Sequence, residues 1–189
     1  MHSLKLVAEP ALGGFEESFG GTDLVEISDL AIVSIAVPLG GDAALIGALS
    51  KTFGAGMPEP GQSVLSTDGK TRFLWTARDQ LFALFRDKSP NAAAEIKARL
   101  GDTAYVTLQS DSWVSLRLDG ENARSALERI CPIDLHPNAF PEGRVTRTMM
   151  EHMGVFVLRD GANSFLLLSA SSSAQSFLHA VKTSIEYVS

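Results

Sequence analysis

The chain has 189 residues, of which 45% are hydrophobic and 20% charged, with a formal net charge of −6. These proportions are typical of a globular domain, and they argue against a nucleic-acid partner, because phosphate contacts require clustered Lys and Arg. The single cysteine excludes an internal disulfide and indicates a reducing compartment. The N-terminus shows no signal peptide, and no apolar run approaches the ~20 residues that cross a bilayer. We therefore expect a cytoplasmic protein without membrane contact.

Residues 1–28 differ in composition from the rest of the chain. They contain the pairs Gly13-Gly14 and Gly20-Gly21, several acidic residues, and Phe15 and Phe19 as isolated aromatics. Such a segment buries little apolar surface, so the sequence predicts a flexible N-terminal arm that orders on a partner, or a frayed terminus. We expect a single α+β domain over residues 29–189.

The first half of that domain, residues 29–101, begins with an apolar, β-branched run that predicts a buried strand over residues 30–37. Asp42 is expected to cap a helix, and Gly54 to end it in the left-handed conformation. Two further strands and a second helix are predicted over residues 72–76, 81–85 and 89–101.

The second half, residues 102–189, repeats this order. Alternating apolar residues predict two strands, and a helix begins after them at Asp119 or Gly120. The strands of this half are predicted over residues 103–109, 114–118, 145–149, 155–159 and 165–169. The closing helix is predicted over residues 172–188.

Matching elements of the two halves are offset by about 80 residues, although their sequences are not visibly alike. Two βαββα-like halves predict antiparallel or mixed sheets with helices on one face, which is an α+β architecture.

Gly69-Lys70-Thr71 resembles the end of a phosphate-binding loop, but the glycine that this motif needs five residues earlier is replaced by Val64. A strand is predicted to follow, whereas a phosphate-binding loop opens a helix. Thr67-Asp68-Gly69 is instead typical of a turn, and the turn is the favoured interpretation.

Cys131 is expected to be a small buried residue, because it falls at the end of a predicted helix, where the negative pole disfavours a thiolate. None of the four histidines has a cysteine or a second histidine at metal-ligand spacing, so no metal site is assigned.

Asp134 and His136 form the most suggestive acid–base pair in the chain. No nucleophile or second carboxylate accompanies them, so they are expected to tie their loop to neighbouring backbone. Arg144 and Arg147 are either ligands for an anion or a partner carboxylate, or ordinary solvated arginines. No catalytic or cofactor-binding residue is assigned to this chain.

Residues 131–144, called the proline-rich segment below, are the most informative stretch of the sequence. Three prolines and a glycine exclude helix, yet the segment also contains apolar side chains that surface loops usually avoid. A stiff, partly apolar connection favours docking on another surface. The candidate interface residues are Pro132, Leu135, His136, Pro137, Phe140, Pro141 and Arg144.

The proline-rich segment, with Thr148 and the two strands that follow, resembles the gamma subunit of heterotetrameric sarcosine oxidase. The shared pattern is Cys-Pro-x-Asp-Leu-His-Pro, then Phe-Pro and Gly, and it is matched at every position from Cys131 to Gly143. The similarity is clear over residues 103–185 and weaker before them, where Arg72-Phe73-Leu74-Trp75 is the main match.

This resemblance implies a fold related to the folate-binding aminomethyltransferases and membership of a complex with alpha, beta and delta subunits. Such complexes demethylate sarcosine oxidatively to glycine, with hydrogen peroxide and formaldehyde or methylenetetrahydrofolate as further products. The resemblance places FAD, FMN, NAD, tetrahydrofolate and zinc on the other subunits. It implies a non-catalytic role for this chain in assembly and stabilisation.

Two other functions remain open at this point. A stand-alone folate-dependent one-carbon protein would need a carboxylate for the folate amine, and Asp68 and Asp134 are the candidates. A free-standing small-molecule sensor is expected to form a symmetric dimer.

Overall fold

The computed structural model describes residues 9–87 and 89–189. Within these residues the helices are α1 (Asp42–Phe53), α2 (Ala92–Leu100), α3 (Ala123–Ile130) and α4 (Ala174–Glu186). The strands are β1 (Glu16–Phe19), β2 (Thr22–Glu26), β3 (Leu30–Ala36), β4 (Ser63–Leu65), β5 (Thr71–Ala77), β6 (Gln80–Arg86), β7 (Tyr105–Leu108), β8 (Trp113–Gly120), β9 (Val145–Met150), β10 (Met153–Gly161) and β11 (Ser164–Ala170).

The strands form two sheets in which every pair is antiparallel. The five-stranded sheet has the order β4-β5-β6-β3-β7, and the six-stranded sheet has the order β1-β2-β8-β11-β10-β9. The predicted α+β architecture is therefore confirmed.

The elements form four layers in the order helix, sheet, sheet and helix. The central strands are apolar on both faces, because one face packs against helices and the other against the second sheet. In β6, Leu81 and Ala83 pack under α1 and α2, whereas Phe82 and Leu84 point to the other sheet. The six-stranded sheet packs in the same way under α3 and α4. Because both faces of the central strands are buried, their sequences read as continuous apolar runs.

The predicted internal repeat is present, and its first unit has one strand more than expected. The order β3-α1-β4-β5-β6-α2 recurs as β8-α3-β9-β10-β11-α4, about 82 residues later. The short strand β4 was not predicted. The strand predicted to open the second half, β7, pairs with β3 in the five-stranded sheet.

Of the two predicted ends of α1, one is confirmed and one is wrong. Gly54 adopts the left-handed conformation at the end of α1, with φ 60°, as predicted. Asp42 is the first residue of α1 and makes no side-chain capping bond, so its predicted capping role is wrong.

The expectation of a flexible arm is wrong for residues 9–28, and residues 1–8 lie outside the described residues. β1 and β2 form a hairpin around Gly20 and Gly21, and β2 pairs with β8 in the six-stranded sheet. The buried Glu26 carboxylate accepts hydrogen bonds from the backbone N–H groups of Leu12 (2.9 Å) and Gly14 (2.7 Å). These bonds fix a segment whose composition alone would not predict order.

In α4, Lys182 reinforces this arrangement. Its ammonium lies 2.6 Å from a Glu17 carboxylate oxygen and over the rings of Phe15 and Phe19. The two aromatics thus pack on the core of the six-stranded sheet instead of remaining free for a partner.

Among the described residues, no helix has both the length and the apolar character that a membrane crossing requires.

Candidate functional site

The proline-rich segment leaves α3 and runs to β9 across the end of the six-stranded sheet. Leu135 is 0% exposed and Phe140 is 4% exposed, and both belong to the core beneath α3 and α4. The prediction that these two side chains are interface residues is therefore wrong. Their burial stabilises the chain's own fold, which explains why a loop carries large apolar side chains.

Arg159 on β10 holds the segment in place from below. Its Nη1 donates to the carbonyl oxygens of Leu135 (3.3 Å) and Phe140 (3.1 Å), and its Nε donates to that of Gly161 (3.2 Å). Its Nη2 bonds the carbonyl of Ala162. The side chain is 95% buried, so these carbonyls take the place of water around the guanidinium.

Sequence reasoning missed the role of Arg159, although a signal was present. Arg159 shares a strand face with Val155 and Val157, which both belong to the core. A charged residue in register with core positions indicates a buried polar network, because an unpaired buried charge is very costly.

The end of the segment joins the two sheets. The Gly143 carbonyl accepts hydrogen bonds from both the N–H and the hydroxyl of Ser63, each 2.8 Å long. The N–H of Val145 donates to the Gly61 carbonyl (3.0 Å), and the Arg144 guanidinium packs against Gly61, which has φ +75°. Arg144 is thus half-buried in an internal junction.

Asp134 and His136 serve the loop itself, as predicted. The Asp134 carboxylate accepts the backbone N–H of His136 (2.9 Å), and Nδ1 of His136 accepts that of Asn138 (3.3 Å). Since Nδ1 accepts a hydrogen bond, the proton of the neutral imidazole lies on Nε2.

The outer face of the segment consists of prolines and polar side chains held in one conformation. The predicted interface residues that are exposed there are Pro132, His136, Pro137 and Pro141. Asp134, Asn138, Ala139 and Glu142 complete this exposed face.

Cys131 is buried, as predicted. Burial raises the pKa of its thiol to about 11, so the nucleophilic thiolate is scarce near neutral pH.

Gly69-Lys70-Thr71 lies in a turn and the first residue of β5, which confirms the turn interpretation. The Asp68 carboxylate accepts hydrogen bonds from the Ser66 hydroxyl (2.6 Å) and the Lys70 N–H (3.0 Å), and these bonds lower the pKa of Asp68. Both carboxylates considered for folate, Asp68 and Asp134, are exposed and bonded within their own turns. The geometry gives no support to a folate-amine site at either position.

In residues 9–87 and 89–189, no group of three or more His, Cys, Asp or Glu side chains is placed to hold a metal ion.

No protein-family model matches the chain. A gamma subunit of sarcosine oxidase from Corynebacterium sp. strain P-1 is 32% identical over 162 residues, which is 85% of this chain and 78% of that protein. The gamma subunit from Arthrobacter sp. is 32% identical over 121 residues, covering 64% of this chain and 60% of that protein. The gamma subunit from Corynebacterium sp. strain U-96 is 29% identical over 133 residues, covering 70% of this chain and 64% of that protein.

Two solved structures share the fold. A chain of the heterotetrameric sarcosine oxidase from Corynebacterium sp. U-96, in complex with pyrrole 2-carboxylate, superposes with a TM-score of 0.76 and 25% identity. The match covers 88% of this chain and 84% of that one. The glycine cleavage system aminomethyltransferase T from Bartonella henselae superposes with a TM-score of 0.61 and 17% identity. This match covers 85% of this chain and 45% of that one, and it shows similarity of fold only.

The predicted resemblance is thus confirmed by sequence and by structure. The agreement with the Corynebacterium P-1 protein extends over most of both chains, well beyond the proline-rich segment. This chain belongs to the sarcosine oxidase gamma-subunit family.

Proposed function

We propose that this chain assembles with alpha, beta and delta subunits into a cytoplasmic sarcosine oxidase, and that it acts there in assembly and stabilisation without an active site of its own. The observation that carries the proposal is the similarity to a named gamma subunit over 85% of the chain. The match to a chain of a heterotetrameric oxidase, with a TM-score of 0.76, supports the same conclusion.

The use of the chemically reactive side chains supports a non-catalytic role. Cys131 is buried with a raised pKa, and Asp134, His136 and Asp68 each bond within their own loop or turn. A general base or nucleophile must be within hydrogen-bond reach of a substrate in a suitable pocket, and these groups are committed to local structure.

In the proposed complex, the other subunits carry FAD, FMN, NAD, tetrahydrofolate and zinc. They oxidise sarcosine to glycine, forming hydrogen peroxide and either formaldehyde or methylenetetrahydrofolate. This division of labour rests on family membership and on the structural use of this chain's polar groups.

We assign part of the contact surface to the exposed face of the proline-rich segment. The prolines fix the backbone, and Arg159 and the buried Leu135 and Phe140 hold it on the core. A surface that is rigid before binding loses little conformational entropy when a partner covers it.

The experiment is an affinity purification of the tagged chain from its native cytoplasm. We expect larger subunits in the eluate, flavin absorbance in the visible spectrum, and hydrogen peroxide formation on addition of sarcosine. An untagged strain provides the background control. A colourless chain that elutes without other subunits and without sarcosine-dependent peroxide would overturn the proposal.

A further inference from the structure

A groove of about 620 Å³ lies beside the helices of the six-stranded sheet, away from the junction of the two sheets. It is formed where the end of α3, one side of α4 and the turn between β9 and β10 meet. Ile130 and Met153 provide apolar surface along it, and Ile130 is separated from the exposed Pro132 by one residue. The groove therefore lies next to the surface already assigned to partner contact.

The turn on the rim of the groove has an unfavourable backbone. Met150 and Met153 pair across the hairpin, and the two residues between them, Glu151 and His152, have φ values of 45° and 70°. Positions with positive φ in such turns favour Gly, Asn or Asp, because a larger side chain crowds the backbone there. Two ionisable side chains thus occupy the rim in spite of a local conformational cost, which is typical of binding sites.

Among the ionisable side chains that line the groove, hydrogen-bond donors outnumber carboxylates. Arg129, His152 and His179 line it, together with one carboxylate, that of Glu151. A guanidinium and two imidazoles gathered in a concave surface favour an occupant that presents carboxylate or carbonyl oxygens to their N–H groups.

Arg129 makes no ion pair with any residue of the described chain. One turn and a half earlier on the same helix, Arg124 pairs with Glu128 at 3.7 Å, and on β8 Arg117 pairs with Asp160 at 3.0 Å. The Arg129 guanidinium instead stacks over the ring of Tyr187, 4.9 Å from its centroid. A stacked guanidinium is held in orientation while its in-plane N–H groups stay available to a carboxylate.

We propose that this groove binds an acidic segment of a partner subunit. Arg129 pairs with a carboxylate of that segment, and His152 and His179 donate hydrogen bonds to its remaining acidic or carbonyl oxygens. Ile130 and Met153 contact its aliphatic groups. The assignment rests on the proposed function, since it names a second part of the surface through which this chain joins its complex.

The first test places two carboxylates in the groove, where Arg129 and His179 now lie. The double variant Arg129→Glu, His179→Glu is titrated onto the complex that lacks this chain, at low and at high salt. We expect at least about a tenfold weaker affinity than wild type at low salt, and a smaller difference at high salt, because ion pairs at an accessible interface are screened. The matched control is Lys51→Glu, Arg78→Glu, which reverses two exposed cations on the other half of the molecule.

Two outcomes overturn the groove assignment. Either the groove variant binds as tightly as wild type, or the control loses as much affinity, in which case overall charge is responsible. The altered side chains are exposed, so both variants should unfold within a few degrees of wild type, and Arg129→Lys, which keeps the charge, should restore part of the affinity.

A second test identifies the occupant. A photo-crosslinking amino acid replaces the exposed Ser176, which lines the groove, in the assembled complex. We expect a crosslink to a segment of another subunit that contains Asp or Glu, located by mass spectrometry. A crosslinked segment without acidic residues contradicts the assignment.

The failure of the groove assignment and the failure of the proposed function can be told apart. If wild type joins no complex at all, both proposals are wrong. If wild type and the groove variant assemble equally well, only the groove assignment is wrong.

Discussion

At the scale of single residues, Arg159 has the largest structural consequence in the candidate site. Its guanidinium bonds four backbone carbonyls, and two of them belong to the proline-rich segment. It also lies over the ring of Phe165, 5.5 Å from the centroid. The buried charge is stabilised by fixed carbonyl dipoles, and in return it determines the path of the loop.

Arg159→Met keeps much of the side-chain volume but removes the donors. We expect a loss of about 2–4 kcal/mol in the free energy of unfolding, because several buried carbonyls lose their partners. Urea denaturation measures the change. Arg78→Met, in an exposed turn, is the control and should alter stability by less than about 0.5 kcal/mol. Equal stability of both variants would show that the loop holds its shape without Arg159.

Cys131 provides a second test at this scale, through pH. Its pKa is raised from 9.0 to about 11 in the folded chain, so the unfolded chain releases the thiol proton at a lower pH than the folded one. Stability should therefore be unaffected by this group below pH 9 and fall as the pH rises from about 9 to about 11. At pH 8 the native thiol should resist an aromatic disulfide reagent and react fully in urea. Full reaction of the native chain would contradict the burial.

The structural role of a residue was predictable where it depends on neighbouring residues, and was missed where it depends on contacts that are distant in sequence. The left-handed Gly54, the turn around Asp68 and the burial of Cys131 follow from neighbouring residues, and all three are found. The role of Arg159 depends on carbonyls 19 and 24 residues away in sequence, which no local pattern specifies.

At the scale of elements, the proline-rich segment is part of the core on one side and exposed on the other. Leu135→Ala and Phe140→Ala should each destabilise the isolated chain, by about 2–5 and 3–5 kcal/mol, because each leaves a cavity. Pro137→Ala, on the exposed face, should cost less than about 1 kcal/mol. Comparable stability of all three variants in urea would contradict the division of the segment into a buried and an exposed side.

The N-terminal hairpin gives a prediction about local opening. Glu26→Ala removes the acceptor for two backbone N–H groups, so amide hydrogen exchange at Leu12 and Gly14 should accelerate by at least about tenfold. Glu16→Ala, at an exposed position of β1, is the control and should leave these rates unchanged. Unchanged exchange in Glu26→Ala would mean that packing of Phe15 and Phe19 alone holds the segment.

The hairpin also shows where reading elements from composition fails. Gly20-Gly21 between two short alternating runs is a recognised hairpin signal, but the acidic residues around it favoured disorder. The strands become stable by pairing with β8, nearly 100 residues further along the chain. The long apolar strands, such as β3 and β6, were predicted to within one residue or two because both their faces are buried.

At the scale of the whole molecule, the repeated unit explains the architecture. Each unit buries one face of its sheet under its own helices and the other against the second sheet, where Trp113 packs edge-on against Phe82 and Phe156. The order of elements was predictable from periodicity, whereas the stacking of the two sheets was not, because alternation identifies two faces but not what covers them.

Native mass spectrometry of the complex purified through this chain tests most directly the proposal that the chain is a structural member of a larger oxidase. We expect a single species whose mass equals this chain plus three other subunits, and which loses its bound flavin only when the other subunits dissociate. A complex without other subunits, or flavin that stays with this chain after dissociation, would contradict the claim.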